Sequence, residues 1–441
     1  MTARVSLTML AEKDAPTLGP CLASVADLVD EIVVVTQPGA TESWKRDAGA
    51  FGVKLVEFPW CDDFSAARNE SMKHATGEWI FYVDADEWID EENRASLVAL
   101  FSALSTQPHL VGFRFGQVST TVESRLSTVR QIRLFRNRPD VRWRYRLHEQ
   151  ITPSLQPHGM IGDCPIEIRH DGYADGQTLR EKRRRNARLA ALDVAERPHD
   201  PWALFTAGIA AADLGRHDDA LRMLDESRKR CIRADFVPPA GELFAALARA
   251  SVRAGHIREA VHVCRDGRRD RPDHADLYFV EAVAQKRLGD LELAERLLKC
   301  CIELQPSHAT AWQLLGDLLL IARRFPEVKT LAERLDHIPN MCVDAAMLRS
   351  RVQLATQDGD SAVRTLETAI ETFPSAPILY ELLANVLLNL EDKARAATTL
   401  RRLLAISPDN GWAAQTLRQL SSLTSGKDRQ SVLAGTEQTP C

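Results

Sequence analysis

No apolar run of about 18 residues occurs anywhere in the chain, which excludes a conventional membrane-spanning helix. Met1-Thr-Ala-Arg-Val-Ser-Leu-Thr-Met-Leu10 has no signal-type apolar core before its first strand-like residues, so a cytoplasmic location is the expectation. The nine cysteines show no CxxC motif, no Cys/His zinc spacing and no framework pattern; Cys300 and Cys301 are adjacent. They read as reduced and mostly buried thiols. Neither sign of charge dominates, since 56 Lys and Arg face 61 Asp and Glu for a net charge of −5. That balance gives no support for a nucleic-acid polyanion as the main partner. Aromatic residues are few, yet 45% of the 441 residues are hydrophobic, enough for two or three domains with real cores.

What is present in the first half is alternation of strands and helices. Val5–Leu10, Glu31–Val35, Val53–Phe58 and Trp79–Val83 are apolar, β-branched or aromatic runs that read as strands. Between them Pro16–Leu28, Glu42–Phe51 and Phe64–His74 carry helical spacing, with Thr36–Thr41 a loop marked by Pro38 and Gly39. The order implies a mostly parallel, Rossmann-like sheet with right-handed crossovers. Glu91–Leu104 reads as a further helix. Val111–Phe115, Thr128–Phe135 and Pro165–Tyr173 read as further strands, and Asp140–Glu149 alternates as an edge strand would.

The strand Trp79–Val83 ends in Asp84, Asp86 and Glu87. In an open α/β sheet, ligands bind beyond the carboxyl ends of the strands. An Asp-x-Asp turn there can aim two carboxylates at one hard divalent ion, which in turn holds phosphates. Taken alone, this short motif is more often a plain acidic turn.

The company it keeps makes it specific. Leu28-Val-Asp-Glu-Ile-Val-Val-Val35, Phe58-Pro-Trp-Cys-Asp-Asp-Phe-Ser-Ala-Ala-Arg-Asn69, Ala75-Thr-Gly-Glu-Trp-Ile80 and Val83-Asp-Ala-Asp-Glu87 resemble, in order and spacing, family 2 glycosyltransferases of the GT-A fold. Arg146-Leu-His-Glu149 and His170-Asp-Gly-Tyr173 look like later landmarks of a subgroup that often carries tetratricopeptide repeats. The resemblance covers about residues 4–190. It implies inverting transfer from a nucleoside-diphosphate sugar, with UDP-sugars as first choice, helped by Mn²⁺ or Mg²⁺. By that resemblance Asp84 and Asp86 hold the metal and diphosphate, and Asp63, Arg68 and Asn69 line the donor site. Glu149 is the candidate general base, with His148 as alternative or orienting partner; a structural ion pair with nearby arginines is the competing reading. His170 reads as structural or metal-adjacent. The sequence departs from the family where Lys13 and Asp14 replace an Asn-Glu pair, and where Thr36 replaces an acid that contacts the base. Asp14 and Glu42 keep acidic character at that edge of the donor site.

From about Pro201 the strand patterns stop. Pro272, Pro306, Pro339, Pro374 and Pro408 recur at intervals of 34, 33, 35 and 34 residues. That period, with turns such as Leu288-Gly-Asp290 and Ala254-Gly-His256, marks about six tetratricopeptide-like helix pairs stacked into a superhelix. The expected organisation is thus an α/β GT-A domain over 1–178, a basic connecting helix over 179–200, all-α repeats over 201–423 and a disordered tail over 424–441. Arg180, Lys182, Arg183, Arg184, Arg185 and Arg188 mark the connecting segment as a solvated, amphipathic helix, with contact to an acidic acceptor or an anionic surface as the other reading. A concave repeat surface suits a peptide or protein acceptor; packing on the catalytic domain or homo-oligomer formation is its other use. Two alternatives stand beside the peptide-directed enzyme. One is a transferase building a cell-envelope glycan. The other is a scaffold whose sugar-nucleotide domain has decayed.

Overall fold

The computed structural model describes residues 3–120, 126–170 and 176–421. The tail expected over 424–441 and the Asp171-Gly-Tyr173 landmark lie outside the described residues. Residues up to Arg271 form one compact unit and those from Pro272 a second.

The first unit is built on eight strands: β1 Val5–Ala11, β2 Glu31–Thr36, β3 Lys54–Glu57, β4 Trp79–Tyr82, β5 Glu87–Trp88, β6 Leu110–Thr120, β7 Leu126–Arg136 and β8 Met160–His170. They join in one sheet of order β3-β2-β1-β4-β7-β6-β8-β5. The first four strands are parallel to one another; β7 runs antiparallel to β4 and β6, β8 parallel to β6, and β5 antiparallel to β8. The sheet is therefore mixed: every pair in the half that carries the crossovers is parallel, and the other half is antiparallel except for β6 with β8.

Helices α1 Leu18–Val25, α2 Glu42–Gly49, α3 Phe64–His74 and α4 Glu91–Ala103 cover the sheet. β4 shows why it lies at the centre. Trp79, Phe81 and Val83 enter one apolar cluster with Leu22, Leu97 and Phe101. Ile80 and Tyr82 enter another with Met72, Phe135 and Trp143. The period of two thus sends successive side chains into two separate cores, and the strand is fully buried. At its entrance, Gly77 N–H donates to Ser6 Oγ at 2.8 Å, a closeness that leaves no room for a Cβ.

One expected element is absent. Asp140–Glu149 is no edge strand; it makes a single bridge, Arg144 to Gln150. Its alternation is real, because Val141, Trp143, Tyr145 and Leu147 are buried. However, Tyr145 and His148 take φ of +75° and +52°, which a strand ladder does not accommodate. A short helix, α5 Thr152–Leu155, follows.

The first unit continues with five helices: α6 Gly176–Glu196, α7 Pro201–Asp213, α8 His217–Arg230, α9 Ala240–Ala254 and α10 Ile257–Asp270. α7 begins where Asp200 accepts from Ala203 N–H at 2.9 Å and Pro201 occupies the first turn, both standard helix-starting devices.

The second unit, in its described residues, is helical. It comprises α11 Ala275–Leu288, α12 Leu291–Leu304, α13 Ala309–Ile321, α14 Phe325–Asp336, α15 Cys342–Ala355, α16 Gly359–Thr372, α17 Pro377–Asn389 and α18 Lys393–Ile406. The turn between paired helices needs a left-handed residue. Gly289 supplies it at φ +88°, and Arg323, Gln357 and Glu391 take the same place at +57°, +63° and +60°. A second repeat mark was not anticipated. Tyr278, Trp312 and Tyr380 each donate to the carbonyl six residues earlier, on Pro272, Pro306 and Pro374, at 2.8–2.9 Å. No described helix is long and apolar enough to cross a membrane.

Candidate active site

The site forms where β4 runs out between α3 and β7. Asp84 follows the strand, and its Oδ1 accepts from Arg68 Nη2 at 3.0 Å. The same guanidinium donates through Nε to Glu149 Oε1 at 2.5 Å. Arg68 lies on α3 and stacks over Tyr82 and Trp143, 4.7 and 5.3 Å from the ring centres. A second guanidinium, Arg133 from β7, lies 4.6 Å from the Tyr82 ring centre. One tyrosine ring thus lies against two buried cations, each within cation–π distance.

Arg133 makes a two-pronged bond with Glu87, at 2.8 and 2.7 Å, and lies 3.9 Å from Asp84. Glu87 Oε2 also accepts the Asp84 N–H at 2.9 Å, and its Oε1 accepts from Gln117 at 2.7 Å. Burial pushes the Glu87 carboxyl upward and the Asp84 charge adds to this, while Arg133 opposes it. Four donors on two oxygens require the ionised form, whatever the shift. The third acid of the Asp84–Glu87 turn is therefore the internal anchor of the other two. Burial would also raise Asp84, but Arg68, and then Arg133, outweigh that and hold it below the ordinary carboxylate range.

Asp86 faces outward and is half exposed. Its Oδ2 lies 3.2 Å from His170 Nε2, and the imidazole's Nδ1 lies 3.1 Å from Ser119 Oγ. The Asp86 bond raises the His170 pKa above its ordinary value, against the effect of burial. Among the described residues, no three His, Cys, Asp or Glu side chains converge into a cage for a metal. Mg²⁺ does not need one, because it is commonly held by one or two carboxylates with waters and substrate phosphates. The open carboxylate of Asp86, next to Asp84, fits that mode.

The other residues singled out from the sequence are placed as follows. Asn69 clamps the backbone of Trp143, donating to its carbonyl at 3.0 Å and accepting its N–H at 2.9 Å. Asp63 caps α3, accepting from Ala66 N–H at 2.9 Å. Asp14 has φ +60° and accepts from Thr41 N–H and Oγ1 at 2.9 and 2.7 Å, tying the loop after β1 to the start of α2. Those two bonds hold its carboxyl below the ordinary range. Thr36 is 3% exposed, and its hydroxyl has no hydrogen-bond partner among the described residues. Glu42 is exposed and lies 3.4 Å from Lys45. His148 is exposed, and its carbonyl accepts from Trp202 Nε1 at 3.3 Å.

Arg68, Asp84 and Glu149 therefore meet directly, and Asp86 lies on the same turn. Asp14, Thr36 and Glu42 gather at the ends of β1 and β2. Sequence reasoning missed Arg133, Tyr82, Trp143 and Gln117. Arg133 had a legible signal: an arginine inside the apolar strand run, between Ile132 and Leu134, both of which are buried.

Residues 7–161 match the sequence profile of glycosyl transferase family 2, and residues 245–299 and 347–411 match tetratricopeptide repeats. A TPR repeat-containing protein of Synechococcus elongatus is 35% identical over 240 residues, which is 52% of this chain and 57% of that protein. The SPbeta prophage-derived glycosyltransferase SunS of Bacillus subtilis is 25% identical over 244 residues, 51% of this chain and 53% of its own. The lipopolysaccharide core biosynthesis glycosyltransferase LpsC of Rhizobium meliloti is 24% identical over 161 residues, covering 33% and 55% of the two chains. The chain thus spans a little over half the length of these curated relatives. It carries a glycosyl transferase family 2 domain over residues 7–161 and tetratricopeptide repeats within residues 245–411.

Proposed function

We propose that this chain transfers a sugar, with inversion, from a nucleoside-diphosphate donor, a UDP-sugar being the first choice, to a peptide or protein acceptor engaged with help from the repeats. The observation that carries this reading is the Arg68 guanidinium, shared between Asp84 at 3.0 Å and Glu149 at 2.5 Å. It links the acid of the donor turn to the candidate base in one contact. Asp84 and Asp86 would hold a Mn²⁺ or Mg²⁺, which when bound supplies positive charge to the departing diphosphate. Arg68 keeps its charge at every physiological pH and stands beside that position, ready to stabilise negative charge as it develops. Glu149 takes the proton from the acceptor as its nucleophile attacks the sugar carbon on the face opposite the leaving group. Asp14, Thr36 and Glu42 form the base and ribose end of the donor site, with Asp63 and Asn69 supporting it from α3.

A cell-envelope glycan is the second acceptor reading. It is favoured by the similarity to a lipopolysaccharide core transferase.

The test is nucleotide release by the purified chain from a panel of UDP- and GDP-sugars with Mn²⁺, Mg²⁺ or EDTA. Release from one donor, abolished by EDTA, is the expected result. No release from any donor, with no nucleotide binding by calorimetry, would overturn the enzyme and leave a repeat scaffold.

A further inference from the structure

The helices that follow the sheet reach into the loop that carries Glu149. Arg144–Gln150 is a tight loop closed by two backbone bonds, Arg144 N–H to Gln150 carbonyl at 3.0 Å and the reverse at 2.9 Å. Within it Tyr145 and His148 take left-handed φ values of +75° and +52°. Residues other than glycine keep such values only where their surroundings enforce them.

The enforcing groups lie on α6, on α7 and at the junction between them. Asp193 of α6 accepts the Arg146 N–H at 2.8 Å, and Arg197 holds that carboxylate at 2.7 Å from the other side. Asp200 accepts the Tyr145 hydroxyl at 3.1 Å while its other oxygen caps α7. Trp202 of α7 donates its indole N–H to the His148 carbonyl at 3.3 Å. The Tyr145 ring is flanked by Trp202 and Phe236, and Leu147 is buried against Leu189, Ala190, Ala207 and Ala210. Both left-handed residues are thus held from the helical side. Glu149, the next residue, is left to meet Arg68 from the sheet side.

We propose that Asp193, Asp200 and Trp202 are positioning residues for Glu149, so that the α6–α7 corner is part of the transferase centre and not only a mount for acceptor-selecting repeats. They act through the Tyr145 hydroxyl and the backbone of Arg146 and His148, not by contact with substrate. The proposal rests on the reading of Glu149 as the base, and its first test is independent of that reading.

In the full chain, Trp202→Phe removes the indole donor but leaves an aromatic ring among Phe205 and Phe236. Tyr145→Phe removes only the hydroxyl that Asp200 holds. Losing one such hydrogen bond is expected to speed amide hydrogen exchange across residues 144–150 roughly two- to ten-fold, with β1–β4 unchanged. Exchange at the wild-type rate in both variants and in the double variant would overturn the positioning role, whatever reaction the chain performs. In donor turnover, kcat should fall by a similar factor while donor KM and UDP affinity stay at wild-type values. Wild-type kcat alongside faster exchange would break the link to catalysis, and equal loss of UDP affinity would mark a general structural defect instead. Glu149→Gln, measured beside them, isolates the underlying reading. If that variant turns over normally, the base assignment fails, while the exchange result still decides the positioning.

Discussion

Arg133 and Glu87 meet in a two-pronged ion pair at 2.8 and 2.7 Å, and neither side chain is more than 1% exposed. Removing one partner strands a buried charge, which typically costs about 3–5 kcal/mol. Arg133→Leu should therefore destabilise the first unit by that order in urea unfolding, and Glu87→Leu likewise. The double variant should recover much of the loss, because it strands neither charge. Single variants that each cost under about 1 kcal/mol would mean that water reaches the pair.

The sequence showed the acids and the helix that faces them, but not the pair that fixes them. The strands of the parallel half were legible because each is a short apolar run between turn residues. Asp84 and Asp86 were legible because a strand end is where an α/β sheet binds ligands. The loop at Arg144–Glu149 misled because a burial alternation of two is the same in a strand and in an irregular segment packed between a sheet and helices. Nothing local announces that Tyr145 and His148 are left-handed; residues 193–202, distant in sequence, enforce it. The sheet's mixed half was hidden for a similar reason, since β7 pairs with β4 across more than forty residues.

Asp84 and Asp86 should separate in a paired substitution. Asp86 is half exposed and its carboxylate bonds to His170 at the surface, so Asp86→Asn should leave the urea midpoint near wild type and remove metal-dependent nucleotide release. Asp84 holds Arg68 and faces Arg133, so Asp84→Asn should lower the midpoint as well as turnover. Metal-dependent release at the wild-type rate from the Asp86 variant would sink its assignment as a ligand.

Gly77 sets how closely the strand entrance approaches β1. A Cβ there would lie 2.7 Å from both the backbone nitrogen and the hydroxyl of Ser6 and 3.0 Å from the Arg4 carbonyl. Two of those three atoms are backbone and cannot swing aside. Gly77→Ala should cost about 1–3 kcal/mol, as overpacking of a close contact usually does. It should also weaken UDP binding, because β4 carries Asp84 at its far end. A variant with wild-type stability would show that β1 and β4 can part there without cost.

Asp193 gives a pH dependence whose sign can be worked out. Burial pushes its carboxyl up to about 6, with the Asp63 charge adding, against the Arg146 and Leu147 N–H groups and the Arg197 guanidinium. Its ordinary value is 3.8, so between 3.8 and about 6 the folded chain holds a proton that the unfolded chain has released. This group's contribution to stability is therefore greatest at the acid end and falls as pH rises through the folded value. An asparagine side chain fills the same space without titrating, so Asp193→Asn should gain Tm relative to wild type as pH goes from about 4 to 7. Differential scanning calorimetry of the two proteins across that range is the check. A gap that narrows or reverses would mean that the Arg197 and backbone bonds outweigh burial and that Asp193 is a net stabilising anion of the α6–α7 corner.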